Sequence, residues 1–124
     1  MEYNLLQLAF VGDAVYELEI RTYLINENIM KPKELKEKSL NFVSAVKQAY
    51  YLKKLIDNNF FEEEELEIIR RGRNTKLNSK PRNCDILTYH YATSFEVLLG
   101  YLFINNKETR IKEIITKIIE IYQA

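Results

Sequence analysis

The chain is predicted to fold as an all-α compact helical bundle, and three observations carry that prediction. No segment alternates apolar and polar residues persistently with period two, so no half-buried strand is indicated. Apolar residues instead recur at i, i+3 and i+4. The cleanest case is Ile111, Ile114, Ile115, Ile118, Ile119 and Tyr122, with Lys and Glu on the opposite side. Only three Gly and two Pro interrupt 124 residues, so breaks between elements are few. That length fits a single domain over residues 1–124, and 47% hydrophobic residues suffice for a real core.

The elements follow in order. A first helix is expected from Asn4 to Asn26, where Leu5, Leu8, Val11, Val15, Leu18 and Leu24 keep helical spacing. Pro32 suits the first turn of a short second helix, Pro32 to Asn41. Ser44 is placed to cap a third, Ala45 to Asp57. A fourth, Glu62 to Arg71, opens on Glu62, Glu63, Glu64 and Glu65 and closes on Arg70 and Arg71, charges that complement the helix dipole. Gly72 then suits the C′ position. Asn83 is expected to cap a long fifth helix, Asp85 to Ile104, with Leu87, Tyr91, Phe95, Leu98 and Leu102 along one stripe. The sixth runs from Glu108 to Tyr122.

Lys plus Arg balances Asp plus Glu at 18 each, so the distribution of charge, not its sum, must be read for a polyanionic partner. Cys84 is the only cysteine, which excludes an intrachain disulfide and fits a reducing compartment. No signal peptide or membrane span is visible, and the cytoplasm is the expected location.

The chemistry points to two acids. Asp13 follows Gly12 within the apolar helical run from Leu8 to Glu17, where a carboxylate is costly unless something cationic pairs with it. Glu96 has the same setting in the run from Ala92 to Gly100. Asp13 shares a helix face with Ala9, Tyr16 and Glu17, and Glu96 with Ala92, Thr93 and Gly100. Small residues beside both acids let two helices approach closely, so that the acids meet across the gap. Oxygen ligands with no His or Cys beside them favour Mg²⁺ or Mn²⁺ over zinc. The plainer alternative is that the acids are solvated and the small residues serve packing alone. Glu17, one turn on, is a further ligand, a residue behind the ligands, or the start of the exposed face with Glu19 and Arg21. Asp85 shares the face of Glu96, but three turns place it about 16 Å away, too far for a common ion on a straight helix.

Arg70, Arg71, Arg73, Lys76, Lys80 and Arg82 fall in one segment with no acid between Glu67 and Asp85. Asn74, Thr75, Asn78, Ser79 and Pro81 mark most of it as loop. Such charges can hold nucleic-acid phosphates without reading sequence. They can equally form a solvated loop paired with the preceding Glu cluster. Lys31, Lys33, Lys36 and Lys38 read as an ordinary solvated face, His90 as a structural or surface residue, and Cys84 as a small apolar filler. No nucleophilic triad, P-loop or dinucleotide fingerprint is present.

Phe10-Val11-Gly12-Asp13-Ala14-Val15 resembles the signature helix of the ribonuclease III catalytic domain, and Phe95-Glu96-Val97-Leu98-Leu99-Gly100 that domain's second acidic helix. Val43-Ser44-Ala45, Arg70-Arg71-Gly72-Arg73-Asn74 and Thr88-Tyr89 resemble the small Mini-ribonuclease III branch, which has the catalytic domain and no double-stranded-RNA-binding domain. The resemblance implies that Asp13 is the catalytic Asp and Glu96 the metal-binding Glu, both serving catalysis and both holding Mg²⁺, with Mn²⁺ as a substitute. It implies endonucleolytic cleavage of double-stranded RNA leaving 5′-phosphate and 3′-hydroxyl ends, in maturation of large-subunit ribosomal RNA precursor. It also implies a homodimer with the signature helix at the contact, and a ribosomal protein as a candidate accessory. Phe10 and Val11 are the apolar residues beside Asp13 suited to that contact; they could also be core residues. The general family pattern has acids where this chain has Ala9 and Thr93. The expected function is therefore a metal-dependent double-stranded-RNA endoribonuclease. The alternatives are a non-catalytic RNA-binding or ribosome-assembly module and a bundle that binds an acidic protein.

Overall fold

The computed structural model describes residues 3–76 and 84–124. These form six helices and no strand: α1 (Leu5–Asn26), α2 (Pro32–Val43), α3 (Ala45–Asp57), α4 (Glu63–Arg73), α5 (Ile86–Ile104) and α6 (Glu108–Gln123). The architecture is all-α, as the patterning indicates.

Local chemistry sets most boundaries. Asn4 caps α1 by accepting from the Gln7 amide at 2.8 Å, while the Gln7 side chain accepts from the Asn4 amide at 3.0 Å, a reciprocal capping box. Pro32 opens α2. Ser44 caps α3, accepting from the Lys47 amide at 3.3 Å. Asp85 caps α5, accepting from the Thr88 amide at 2.8 Å and its hydroxyl at 3.0 Å. The cap expected at Asn83 lies outside the described residues, and Asp85 fills the position one residue before the helix starts.

Three helices stop on asparagine rather than glycine. Asn28, Asn59 and Asn106 have φ of 62°, 55° and 59°, the left-handed conformation in which Asn is tolerated. After α3 the Phe60 amide donates to Leu55 O and the Asn59 amide to Ile56 O, and after α5 Lys107 and Asn106 repeat the pattern on Leu102 and Phe103. These are paired closures of a helix end around a left-handed residue.

Gly72 is not such a stop. Helix α4 continues through it to Arg73, and Gly72 is buried against α5, where an added Cβ would lie 2.9 Å from Ser94 Cα. Close helix packing, not chain reversal, is its use. Arg70 and Arg71 are helical as expected, and Arg73 is helical as well, so the loop begins two residues later than the expected helix end at Arg71.

Helix α5 is the axis of the bundle. Ala92–Phe95, Val97–Gly100 and Leu102 are buried, so it is apolar on nearly every side, as a central helix must be. Helices α1, α4 and α3 pack around it most extensively. Helix α6 adds Ile111, Ile114, Ile115 and Ile118 to the core. The single stripes expected on α1 and α5 are partly redrawn. Leu18 and Leu87 are 65% and 57% exposed, and α1 instead buries Leu8, Ala9, Gly12, Tyr16, Ile20 and Leu24. No helix among the described residues is long and apolar enough to cross a membrane.

Candidate metal centre

Two glycines bring the acidic helices together. A Cβ built on Gly12 would lie 1.7 Å from Glu96 O, and one on Gly100 would lie 1.9 Å from Leu8 O. Helices α1 and α5 therefore cross backbone to backbone, running antiparallel. At this approach no side chain separates them, and Asp13 and Glu96, each beside the crossing, come within hydrogen-bonding reach. The cost shows in the electrostatics: the Glu96 carboxyl is pushed up to about 8. Burial is the main cause, followed by the charge of Asp13 and the hydrogen bond shared with it. Gln48 pulls in the opposite direction, and Glu17 adds a smaller upward push. Two adjacent carboxylates that resist being charged together are what a cation relieves.

The turn between α2 and α3 walls this site. The last carbonyls of α2 have no partners within their helix, and three side chains satisfy them. Tyr51 donates to Asn41 O at 3.1 Å, Tyr16 to Phe42 O at 3.0 Å and Gln48 Nε2 to Val43 O at 3.0 Å. Tyr16 is fully buried, with its ring edge-on to Phe95 at 4.9 Å between centroids. Burial and the nearby Tyr51 hold its phenol well above the ordinary range, so it remains a neutral donor.

Glu17 lies near the acid pair and is drawn outward by Arg21, 3.4 Å away. Asp85 is committed to the α5 cap; its hydrogen bonds from Thr88 hold its carboxyl below the usual range. Ala9 and Thr93 are buried, at 7% and 4% exposure. Among the described residues no group of three or more His, Cys, Asp and Glu side chains is placed to hold a metal ion by itself. The donor set is thus two facing carboxylates with Glu17 close by. This suits a hard divalent cation of the Mg²⁺ type, which uses one or two carboxylates and keeps water or substrate oxygens as its other ligands.

The basic residues separate. Arg70 pairs with Glu67 on its own helix. Arg71 lines a depression with Tyr3, Leu8 and Tyr101 at the other end of the α1–α5 contact. Arg73 reaches Tyr91 on α5, donating to its hydroxyl at 3.3 Å. Lys76 is exposed, while Lys80 and Arg82 lie outside the described residues. Sequence reading missed the cations that join Arg73. Lys53 lies 4.6 Å from the Tyr91 ring centroid, and Lys47 and Lys54 lie 5.3 and 5.6 Å from that of Tyr50. The signal was present as Lys47, Tyr50, Lys53 and Lys54 within two turns of α3, yet apolar periodicity alone assigns α3 only a buried face. None of these four cations is ion-paired among the described residues.

Phe10 is 83% exposed, which removes the reading of it as a core residue. With Leu6, Ala14 and Leu18 it forms an exposed apolar stripe spaced four residues apart on α1. Val11 is half-buried beside it, and Tyr3, Leu6, Phe10, Val11 and Ile104 line one shallow groove. His90 is half-buried at the second turn of α5, and Cys84 is buried just before that helix.

Comparison with known proteins gives a consistent picture. Residues 6–107 match the ribonuclease III domain family. The chain is 40% identical over 121 residues to Mini-ribonuclease 3 of Clostridium tetani, covering 97% of this chain and 79% of that one. It is 42% identical over 121 residues to Mini-ribonuclease 3 of Brevibacillus brevis, covering 98% and 89%. A crystal structure of a Fusobacterium nucleatum protein superposes with a TM-score of 0.85 at 36% identity, covering 96% of this chain and 93% of that one.

Proposed function

The chain belongs to the ribonuclease III family, and from that premise we propose that it is a divalent-cation-dependent endoribonuclease acting on double-stranded RNA. One observation carries this reading: the backbone contact at Gly12 and Gly100 sets Asp13 against Glu96, an acid pair at the rim of the bundle whose mutual repulsion a cation relieves.

Asp13 and Glu96 would hold Mg²⁺, or Mn²⁺ in its place, with Glu17 at the edge of the site. When bound, the cation supplies Lewis-acid stabilisation of the scissile phosphodiester and lowers the pKa of water at the site. The chain's own residues do the positioning. Asp13 approaches from the exposed side of α1 and faces solvent, on the side a duplex can reach. Glu96, half-buried, fixes the inner side of the site. No side chain serves as a covalent nucleophile, and hydrolysis gives 5′-phosphate and 3′-hydroxyl ends.

Phosphates flanking the cut are held by basic residues rather than read by sequence. Arg73 with Lys47, Lys53 and Lys54 offers such a surface, and Lys76, Arg70, Arg71, Lys80 and Arg82 are the further basic residues assigned to RNA in this reading. Duplex RNA would be recognised by its shape, phosphates and 2′-hydroxyls. A symmetric dimer through the Phe10 and Val11 face supplies a second site for the second strand. The relatives' name, Mini-ribonuclease 3, supports the endoribonuclease assignment. The natural substrate in this reading is large-subunit ribosomal RNA precursor in the cytoplasm, with a ribosomal protein as accessory.

Incubating the purified protein with a long RNA duplex tests this directly. Cleavage is expected with Mg²⁺ and not with EDTA, and a single strand of the same sequence should be spared. Duplex binding without cleavage at any Mg²⁺ concentration would instead identify a non-catalytic RNA-binding module. No salt-sensitive duplex binding at all would point to a protein-binding bundle.

A further inference from the structure

Gln48 sits on α3 at 3% exposure, among the few buried polar side chains of the molecule. Its amide nitrogen has two protons to donate. One goes to Val43 O at 3.0 Å, at the end of α2. The same side chain stands beside the Glu96 carboxylate and draws its pKa down. The bond to Val43 O fixes the amide's orientation, because its oxygen could not satisfy a carbonyl acceptor. The oxygen Oε1 of the same planar group is buried and has no partner among the described residues. Leaving a buried acceptor without a donor is destabilising, so an amide here needs a compensating role.

We propose that Gln48 is a positioning residue of the cation site: its N–H holds Glu96 as a ligand, and its Oε1 accepts from the waters that a hard divalent cation retains. The inference rests on the cation reading of Asp13 and Glu96 and extends it to α3. Three observations converge on it. The side chain is pinned to backbone, so it keeps one orientation. It is linked to the innermost carboxylate of the pair. Its oxygen meets no donor among the described residues, and the waters that a cation such as Mg²⁺ retains would be donors of the kind it lacks. Second partners of this kind orient metal ligands, and their loss typically weakens metal binding 10–100-fold. The α2–α3 turn thereby becomes part of the site, since Val43 O aims the amide that aims Glu96.

The test compares wild type, Asp13→Asn and Gln48→Met, each checked for folding by circular dichroism. Methionine keeps the length of the side chain and removes its polar atoms. Mn²⁺ binding is followed by electron paramagnetic resonance without RNA, and the Mg²⁺ dependence of duplex cleavage in parallel. Gln48→Met should bind Mn²⁺ at least about tenfold more weakly and need correspondingly more Mg²⁺, with its turnover recovering at saturating Mg²⁺. A merely structural side chain would not shift the Mg²⁺ dependence in this way. If Gln48→Met fails to fold, the wild-type protein gives the answer: the Gln48 side-chain amide resonances should move as Mg²⁺ is added. Unchanged Mn²⁺ affinity in folded Gln48→Met, or amide resonances that ignore Mg²⁺, would overturn the inference and leave the acid pair standing. Wild type that binds Mn²⁺ no better than Asp13→Asn would overturn the cation reading and this inference with it.

Discussion

Glu96 is the residue on which chemistry and stability meet. Its carboxyl is pushed up to about 8 from an ordinary value of 4.5, first by burial and then by Asp13. In the unfolded chain it ionises near the ordinary value. Between those two values the folded protein therefore binds more protons than the unfolded chain, and its stability falls as pH rises. The melting temperature of metal-free protein should thus drop between pH 5 and pH 8 more steeply for wild type than for Glu96→Gln, by thermal denaturation in EDTA. Mg²⁺ should restore stability chiefly at the upper end of that range, since a cation needs the ionised ligand. Parallel profiles for the two proteins would show that Glu96 is not held in a strained charge state. At this scale the sequence was informative about identity and poor on environment. Asp13 and Glu96 stood out as acids in apolar runs. Gln48 did not, because nothing in Ala45-Val46-Lys47-Gln48 distinguishes a solvated amide from one pinned between a helix end and a carboxylate.

The helices were legible because each carries its own signal: a periodic apolar face, a cap, or charge matched to its dipole. Boundaries went astray where a residue type has two uses. Gly72 reads as a helix stop but serves as a contact surface, while Asn28, Asn59 and Asn106 do the stopping. Tertiary partners were likewise invisible. Glu65 reads as part of a helix-start acid cluster, yet it is buried and takes a bidentate pair from Arg110 at 2.7 and 2.8 Å. Burial works against its charge, but the Arg110 hydrogen bonds and the Glu62 amide outweigh this and hold its carboxyl low. That pair fastens the start of α4 to α6. The decisive element contact is the α1–α5 crossing. Gly12→Ala should destabilise the protein by about 1–3 kcal/mol, because a methyl group placed on the Glu96 carbonyl forces the helices apart. It should also weaken Mn²⁺ binding, since separating the helices separates the acids. Chemical denaturation and a Mn²⁺ titration check both. A Gly12→Ala protein as stable as wild type would contradict the backbone contact.

On the scale of the whole molecule, the bundle leaves an unpartnered apolar stripe beside its acid pair. Leu6, Phe10 and Leu18 are 44%, 83% and 65% exposed. Sequence periodicity could not separate this stripe from the core, since both are apolar faces of the same helix. If a second copy covers it, Phe10→Asp should give a monomer by sedimentation. Its circular dichroism should be nearly unchanged, because positions exposed in the single chain tolerate substitution within about 0.5 kcal/mol, while its melting temperature should lose the concentration dependence that association confers. That monomer should cut duplex poorly. Wild type that is monomeric at micromolar concentration and fully active would defeat the dimer while leaving the acid pair untouched.

The central claim is that Asp13 and Glu96 hold one cation as a unit, and single-turnover duplex cleavage tests it most directly. The rate should be measured for wild type, Asp13→Asn, Glu96→Gln and the double variant, each folded, at fixed Mg²⁺. Each single change should lower the rate about 100-fold or more, since it removes several kcal/mol of transition-state stabilisation. The double variant should be little slower than either, because the second change acts on a site already lost. Multiplied losses in the double variant, or near-normal cleavage by either folded single variant, would contradict the account.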